Sequence, residues 1–170
     1  MARIVVSDTT AIIHLAKIDA LQLLKSLYGE ILIPQAVFDE LTQRGRTQPG
    51  ALQVMNAASW IKVVPIQHPI VAVKLRARLD LGESEAIALA LETNADVLII
   101  DEALGRAIAK KLVNRIIGMV GILLKAKSAG LINEINPYLI NLKKTGFRIS
   151  DELMRFALSE AGESQSQAKP

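Results

Sequence analysis

The chain has 170 residues, a length that suits one domain with its own hydrophobic core. Its hydrophobic content of 51% excludes an intrinsically disordered protein, and the absence of cysteine excludes disulfides, thiolate metal sites and cysteine nucleophiles. A formal net charge of +3 and a pI near 9.3 permit a nucleic-acid partner without requiring one.

The longest apolar run, residues 116–124, is too short to span a membrane. The first twenty residues contain Asp8 and His14 and lack the continuous apolar stretch of a signal peptide. We therefore expect a cytoplasmic protein.

The first half of the chain alternates predicted strands and helices. Apolar, β-branched runs predict strands over residues 3–7, 30–34 and 60–66. Helical spacing of apolar residues predicts two short helices within residues 10–28, then helices over residues 34–43 and 51–58. The two short helices are separated near Asp19, which suits an N-cap, and residues 44–50 form a basic, turn-rich loop.

The second half continues this alternation and ends in helices. Helices are predicted after Pro69 and over residues 81–96 and 102–112, strands over residues 97–100 and 114–118, and closing helices over residues 119–131, 133–146 and 150–162. The pattern predicts an α/β fold, a three-layer α/β/α sandwich with a central parallel sheet. We expect one domain over residues 1–162 and a disordered polar tail over residues 163–170.

Two acidic residues follow apolar strands directly. Asp8 comes after the first strand and Asp101 after the run at residues 97–100. Because the carboxyl ends of parallel strands share one edge of the sheet, both side chains should emerge there, where α/β proteins bind ligands. The alternative for each is a helix N-cap with no further role.

Two other acids lie on predicted helices close to the packed face. Glu40 is one position from the apolar residues Val37 and Leu41, and Glu83 is in line with the apolar face of its helix. The alternatives are an edge residue reaching water for Glu40 and an interaction with the helix dipole for Glu83. Glu85 lies a step further round its helix and is the second choice.

Four carboxylates at one sheet edge would repel one another. At an effective dielectric constant near 20, two unit charges about 4 Å apart repel by about 4 kcal/mol, so an ionised cluster requires a cation. Oxygen ligands without cysteine or paired histidine favour Mg²⁺ or Mn²⁺ over Zn²⁺. An acidic metal site within a basic protein suits a polyanionic substrate.

Four segments carry a resemblance to a known family: "VVSDTTAII", "IPQAVFDEL", "LGESEAIALALETNADVLIIDEALGR" and "IIGMVGILLKAKSAGLI". They resemble the PIN-domain ribonucleases, and among these the VapC-like toxins, over about residues 2–163. The resemblance implies an Mg²⁺- or Mn²⁺-dependent endoribonuclease that hydrolyses RNA phosphodiester bonds. It further implies a homodimeric toxin of a toxin–antitoxin pair, inhibited by a small antitoxin protein.

The resemblance also assigns site residues. The metal-binding and catalytic acids would be Asp8, Glu40, Glu83 and Asp101, and the 18-residue interval between the last two favours Glu83 over Glu85. Thr9 and Thr10 would be the hydroxyl positions that follow the first acid, and Glu102 and Arg106 are accessory candidates, Arg106 as a phosphate contact. Glu85 is kept as an accessory residue on its helix position alone. The chain departs from the family at the third acid, which is more often Asp, and the longer Glu83 puts full activity in doubt.

Clusters of basic residues are candidates for RNA contacts, with an ordinary solvated surface as the alternative. They are Arg44, Arg46, Arg76 and Arg78, followed by Lys143, Lys144 and Arg148.

Two other functions fit part of the pattern. One is a catalytically degenerate PIN-like domain that binds RNA or a protein. The other is a phosphoryl-transfer enzyme with Asp8 as nucleophile, similar to the haloacid-dehalogenase-like phosphatases. Those enzymes usually carry a second Asp two residues on, where this chain has Thr10. A nucleotide-binding module is disfavoured because no Gly-rich phosphate loop follows the first strand.

Overall fold

A computed structural model describes residues 2–42, 50–57 and 59–163. Within them, five short strands form one parallel sheet in the order β3-β2-β1-β4-β5. The strands are β1 (Val5–Ser7), β2 (Ile31–Ile33), β3 (Ile61–Val63), β4 (Val97–Ile99) and β5 (Ile116–Ile117). The central strand β1 places Val6 opposite both Leu32 and Leu98.

Helices connect the strands and close the chain. They are α1 (Thr9–Lys17), α2 (Gln22–Tyr28), α3 (Gln35–Thr42), α4 (Ala51–Asn56), α5 (Ile70–Leu75), α6 (Leu81–Glu92), α7 (Ala103–Ala109), α8 (Met119–Ser128), α9 (Asn136–Lys144) and α10 (Asp151–Glu160). In the part of the chain that the structure describes, no helix is long and apolar enough to cross a membrane.

Alternating side chains of the strands supply two separate cores, one on each face of the sheet. Val5 and Ile99 pack into the larger core with the inner faces of α1, α2 and α8 to α10. Val6 and Leu98 pack into the smaller core with residues of α6 and α7. The predicted three-layer α/β/α sandwich with a central parallel sheet is therefore confirmed.

The strand order places a crevice at one edge of the sheet. The chain moves outward from β1 to β2 and β3, then returns to the other side of β1 to form β4 and β5. Such a reversal between neighbouring strands opens a crevice beyond their carboxyl ends, which is the usual ligand site of an open parallel sheet. In this chain the neighbouring strands are β1 and β4, which precede Asp8 and Asp101.

One local prediction is wrong. Asp19 does not cap a helix: it has a left-handed backbone with φ of 55°, and α2 begins only at Gln22. Asp tolerates that conformation better than most residues because its short polar side chain can bond locally. The residue therefore turns the chain between α1 and α2 as a bend.

The end of the described chain is fixed by Glu163, the first residue of the predicted tail. Its carboxylate accepts hydrogen bonds from Lys127 Nζ at 2.7 Å and from the backbone N–H groups of Ile135 at 2.7 Å and Asn136 at 3.0 Å. The disordered tail stays a prediction, because residues 164–170 lie outside the described residues.

Candidate active site

Asp8 lies directly after β1 and is 1% exposed. Its Oδ1 accepts a hydrogen bond from Ala11 N at 3.4 Å, which makes it the N-cap of α1. Its Oδ2 is buried and has no hydrogen-bond partner among the described residues. The two interpretations of Asp8, helix cap and site carboxylate, are thus compatible, because one oxygen caps the helix and the other makes no hydrogen bond, although the backbone N–H of Asp101 lies close enough to favour the charged form.

Asp101 repeats this arrangement beside the neighbouring strand. Its Oδ1 accepts a hydrogen bond from Met119 N, the first residue of α8, at 3.0 Å. Its Oδ2 is buried and unpartnered within the described chain. Burial raises the pKa of Asp101 to about 6, although the Met119 N–H and the nearby Arg106 guanidinium both favour the charged form.

Glu83 is held at the start of α6 by a reciprocal pair of hydrogen bonds. Asp80, the N-cap, accepts from Glu83 N at 2.8 Å, and Glu83 Oε2 accepts from Asp80 N at 3.3 Å. Glu83 is 8% exposed. Burial, then the charge of Asp80, with smaller contributions from Glu102 and Glu40, raises the pKa of Glu83 to about 7.

Glu40 connects the starts of two helices. Its Oε2 accepts from Thr9 Oγ1 at 2.6 Å, and its Oε1 accepts from Gly82 N at 3.0 Å. Thr9 follows Asp8 at the start of α1, and Gly82 precedes Glu83 at the start of α6. Glu40 on α3 therefore bonds to a sequence neighbour of each of these two acids. The carboxylate is held in place by donors at both of its oxygens.

These acids affect one another electrostatically. Burial, followed by the charges of Asp101 and Glu83, raises the pKa of Asp8 well above its usual value. Each carboxylate nevertheless bonds to its own N–H or hydroxyl donor, and no three His, Cys, Asp or Glu groups within the described ranges form a ready-made set of metal ligands. The site is therefore a group of carboxylates that are hydrogen-bonded separately, and Asp8 and Asp101 each have one oxygen without a hydrogen bond.

Three glycines lie against the carboxylates. A Cβ on Gly82 would lie 2.6 Å from Glu40 Oε1, and one on Gly118 would lie 2.6 Å from Asp101 Oδ1. A Cβ on Gly105 would lie 3.2 Å from Glu83 Oε1 and 2.9 Å from Ile100 Cδ1. Any larger residue at these positions would have to move a carboxylate or its neighbours.

The accessory residues have different surroundings. Thr9 donates to Glu40, whereas half-buried Thr10 lies in the first turn of α1. Glu85 Oε2 accepts from Ala36 N at 3.0 Å, so it binds the start of α3. Glu102 is exposed at the N-cap position of α7, and Arg106 donates from Nη1 to the carbonyl oxygen of Ile100 at 2.9 Å.

The basic candidates for RNA binding are spread over the molecule. Arg76 and Arg78 are exposed at the end of α5, shortly before Asp80. Lys143 forms an ion pair with Asp151 at 3.6 Å, and exposed Arg148 lines a cavity that also contains Asp101. Arg44 and Arg46 lie outside the described residues, so their role stays a prediction.

Sequence reasoning missed two contributors to this site. Asp80 was not singled out, although an N-cap acid followed three residues later by Glu is the signature of a capping box. The glycines gave a weaker signal, since an isolated Gly beside a helical pattern has many explanations. Only the positions of neighbouring carboxylates reveal what each glycine accommodates.

A family model described as a PIN domain matches residues 4–163, which contain all four acids and both central strands. The chain belongs to the PIN-domain family. PIN domains are generally nucleases, so the family assigns a nuclease-type fold to this carboxylate-lined edge of the sheet. No curated protein matches the chain.

Proposed function

We propose that this PIN domain is a divalent-metal-dependent endoribonuclease, and that Asp8 and Asp101 would hold Mg²⁺ or Mn²⁺. One observation carries the proposal: both residues present a buried, unpartnered carboxylate oxygen at the carboxyl ends of adjacent strands. A buried charged oxygen without a donor is energetically unfavourable. A bound cation would offset this cost.

The available ligands suit a hard cation. Every candidate ligand is a carboxylate oxygen, and the chain contains no cysteine. Mg²⁺ and Mn²⁺ prefer such oxygen ligands. Burial is the main cause of the raised pKa values of Asp8, Glu83 and Asp101, and neighbouring carboxylates add to it at Asp8 and Glu83, so ionising these groups carries a cost that a cation would reduce.

Each residue has a role in hydrolysis that follows from its contacts. A bound divalent cation would lower the pKa of a water molecule and would offset negative charge on the phosphate. Asp8, Asp101 and Glu83 would hold the cation. Glu40, fixed at both oxygens by Thr9 and Gly82, would complete the shell or orient the attacking water. Arg106, whose guanidinium lies near Asp101, would contact the substrate phosphate.

RNA cleavage by the full chain with Mg²⁺ or Mn²⁺ tests this assignment. We expect cleavage by the wild type and its loss in Asp8→Asn and in Asp101→Asn. Asp39→Asn is the matched control, because Asp39 neighbours Glu40 but bonds to the Gln35 side chain. Undiminished cleavage in both site variants would contradict the assignment.

The biological role is a further part of the proposal and is based on the resemblance to VapC-like toxins. We infer a cytoplasmic, homodimeric toxin whose partner is a small antitoxin protein and whose substrate is cellular RNA. Expression of the wild type should arrest growth, and Asp8→Asn should not. Co-expression of a small protein encoded beside it should relieve the arrest, and arrest by Asp8→Asn would contradict a nuclease toxin.

A catalytically degenerate domain that binds RNA or protein is the second candidate. It is favoured by Glu83, which bonds to Asp80 N and stands where the family more often has the shorter Asp. If the wild type binds RNA but cleaves none with either metal, this second function replaces the first.

A further inference from the structure

A groove beside Asp101 has features that the metal site does not explain. Its cavity is about 440 Å³. Acidic, basic and aromatic side chains line it, among them Asp101, Arg106, Phe147, Arg148, Leu153 and Phe156. We call it the aromatic groove. Because Asp101 lines it, any molecule bound there lies next to the candidate site of cleavage.

The aromatic groove contains the most exposed aromatic ring of the protein. Phe156 on α10 is 56% exposed, whereas the other five aromatic residues are buried or half-buried. Leu153, one turn earlier on the same helix, is also exposed, and the two form one apolar patch. Phe147 packs edge-on against the His14 ring, with the centroids 5.1 Å apart, and is thereby held in place.

Positive charge accompanies these rings. Arg148 is exposed and makes no ion pair with any described residue, and Arg106 uses only Nη1 in its hydrogen bond to Ile100 O. Arg148 therefore has a guanidinium free for phosphate, whereas the Arg106 guanidinium already lies near the Asp101 carboxylate. A groove that combines cationic groups with exposed rings matches the way proteins bind single-stranded nucleic acid, with the backbone on the cations and bases on the rings.

We propose that the aromatic groove binds single-stranded RNA, with a base stacked on Phe156 and a backbone phosphate on Arg148. The proposal builds on the proposed function, since the groove leads to the acid at which cleavage would occur. Its new content is the assignment of Phe156 and Arg148, which lie outside the four acids of the proposed metal site, to RNA binding. In a duplex the bases are stacked on one another, so their faces cannot reach a protein ring.

Fluorescence anisotropy with a labelled single-stranded RNA in EDTA tests the groove without turnover, and a gel confirms that the RNA is intact. Phe156→Ala should weaken binding roughly tenfold because a stacking contact is lost, whereas Phe156→Tyr should bind like the wild type. Arg148→Gln should reduce the slope of log affinity against log salt by about 0.7, the value for one phosphate contact. A duplex of the same sequence should bind more weakly than the single strand.

Two matched controls separate the groove from general surface effects. Arg155→Gln removes an exposed positive charge of α10 that does not line the groove. Ile70→Ala removes an exposed apolar side chain from α5. Both should bind RNA like the wild type. Phe156→Leu keeps an apolar side chain without the ring, and should bind as weakly as Phe156→Ala.

Several results would overturn the groove proposal. One is equal RNA binding by Phe156→Ala and the wild type. Another is a change of oligomeric state in Phe156→Ala, measured by light scattering, because the ring would then pack against a second copy or another protein. The two proposals can fail separately. If the wild type cleaves RNA and Phe156→Ala binds RNA equally well, only the groove proposal is contradicted. If RNA binding depends on Phe156 but the wild type cleaves no RNA with Mg²⁺ or Mn²⁺, only the nuclease proposal is contradicted.

Discussion

Carboxylates at two places in this molecule have opposite pKa shifts. Near the end of the described chain, Glu163 receives an ammonium and two backbone N–H groups, and these bonds outweigh its burial and lower its pKa. At the edge between β1 and β4, burial and neighbouring acids raise the pKa of Asp8, and burial raises that of Asp101. Each of those two keeps one oxygen without a donor.

The difference indicates that Glu163 stabilises the fold, whereas Asp8 and Asp101 are placed to bind a ligand. Glu163 stabilises the protein as it stands, because its charge has partners from α8 and from the start of α9. Asp8 and Asp101 also accept backbone hydrogen bonds, but these do not offset the cost of burial, so ionisation of the two acids opposes folding and a bound cation would favour it. Such raised pKa values in a crevice are typical of functional sites.

The largest expected effect is on catalysis. Asp8→Asn should lower RNA cleavage by at least about a hundredfold, because it removes a charged ligand of the proposed cation. In EDTA the same variant should unfold at the same or a higher temperature than the wild type, since one charge of the repelling group is gone. Cleavage rates and thermal unfolding measure both effects, and a folded Asp8→Asn that cleaves normally would contradict the prediction.

A glycine substitution should disturb the site with little effect on the fold. The Cβ of Gly118→Ala would meet Asp101 Oδ1 at 2.6 Å and Arg106 Nη1 at 2.9 Å, both at the ends of flexible side chains. The displaced carboxylate should lower the affinity for Mn²⁺ by roughly tenfold, as loss of a positioning contact does. The measurement is the Mn²⁺-dependent rise in unfolding temperature.

Gly121→Ala on the same helix is the matched control for Gly118→Ala. Its Cβ would meet the Ile117 side chain at 2.7 Å and no carboxylate within 4 Å. It should keep the full response to Mn²⁺. An equal loss of response in both variants would mean that repacking of α8, and not the position of Asp101, controls the site.

The pH dependence of stability should differ between the two places. Glu83, Asp101 and Asp8 have raised pKa values, so these three acids bind more protons in the folded protein than in the unfolded chain. Burial lowers the pKa of His14, which acts in the opposite direction, but three groups outweigh one and stability in EDTA should rise as pH falls from about 8 to about 5. Glu163 has a lowered pKa, so its contribution is present at those pH values and is lost only at more acidic pH. Unfolding temperatures across this range test the sign, and a constant or falling value toward pH 5 would contradict it.

The smallest predicted effect concerns Glu163. Glu163→Gln removes the charge paired with Lys127 and should lower the free energy of unfolding by about 1 kcal/mol, a value kept small by solvent screening at the protein surface. RNA cleavage should be unchanged. Urea unfolding measures the loss, and exposed Glu160→Gln, which has no ion pair within the described residues, is the control.

The sheet and its acidic edge could be predicted because they depend on short stretches of sequence. Apolar β-branched runs identify β1 and β4, and the rule for parallel sheets then brings Asp8 and Asp101 to one edge. The rule names Asp8 and Asp101 as candidates, but it does not show which of their atoms bonds to which donor. That depends on how helices distant in the sequence pack together, as for Glu40 and Gly82.

Cap residues show the same limit on a smaller scale. Asp19 is a residue type that favours the N-cap but has a left-handed backbone in a turn. Asp80 does cap α6, although it was not singled out from the sequence. Asp and Asn favour caps and turns for the same reason, a short side chain that bonds to nearby backbone, so sequence alone cannot separate the two uses. Glu85, an accessory candidate, bonds to the start of α3, a contact between α3 and α6 that the sequence does not show.

The most direct test is calorimetric titration of the 170-residue protein with Mn²⁺. The central claim is that the unpartnered oxygens of Asp8 and Asp101 bind a divalent cation. We expect saturable binding by the wild type and by Asp39→Asn, and its loss in Asp8→Asn and Asp101→Asn. No binding by the wild type, or equal binding by all four proteins, would contradict the claim.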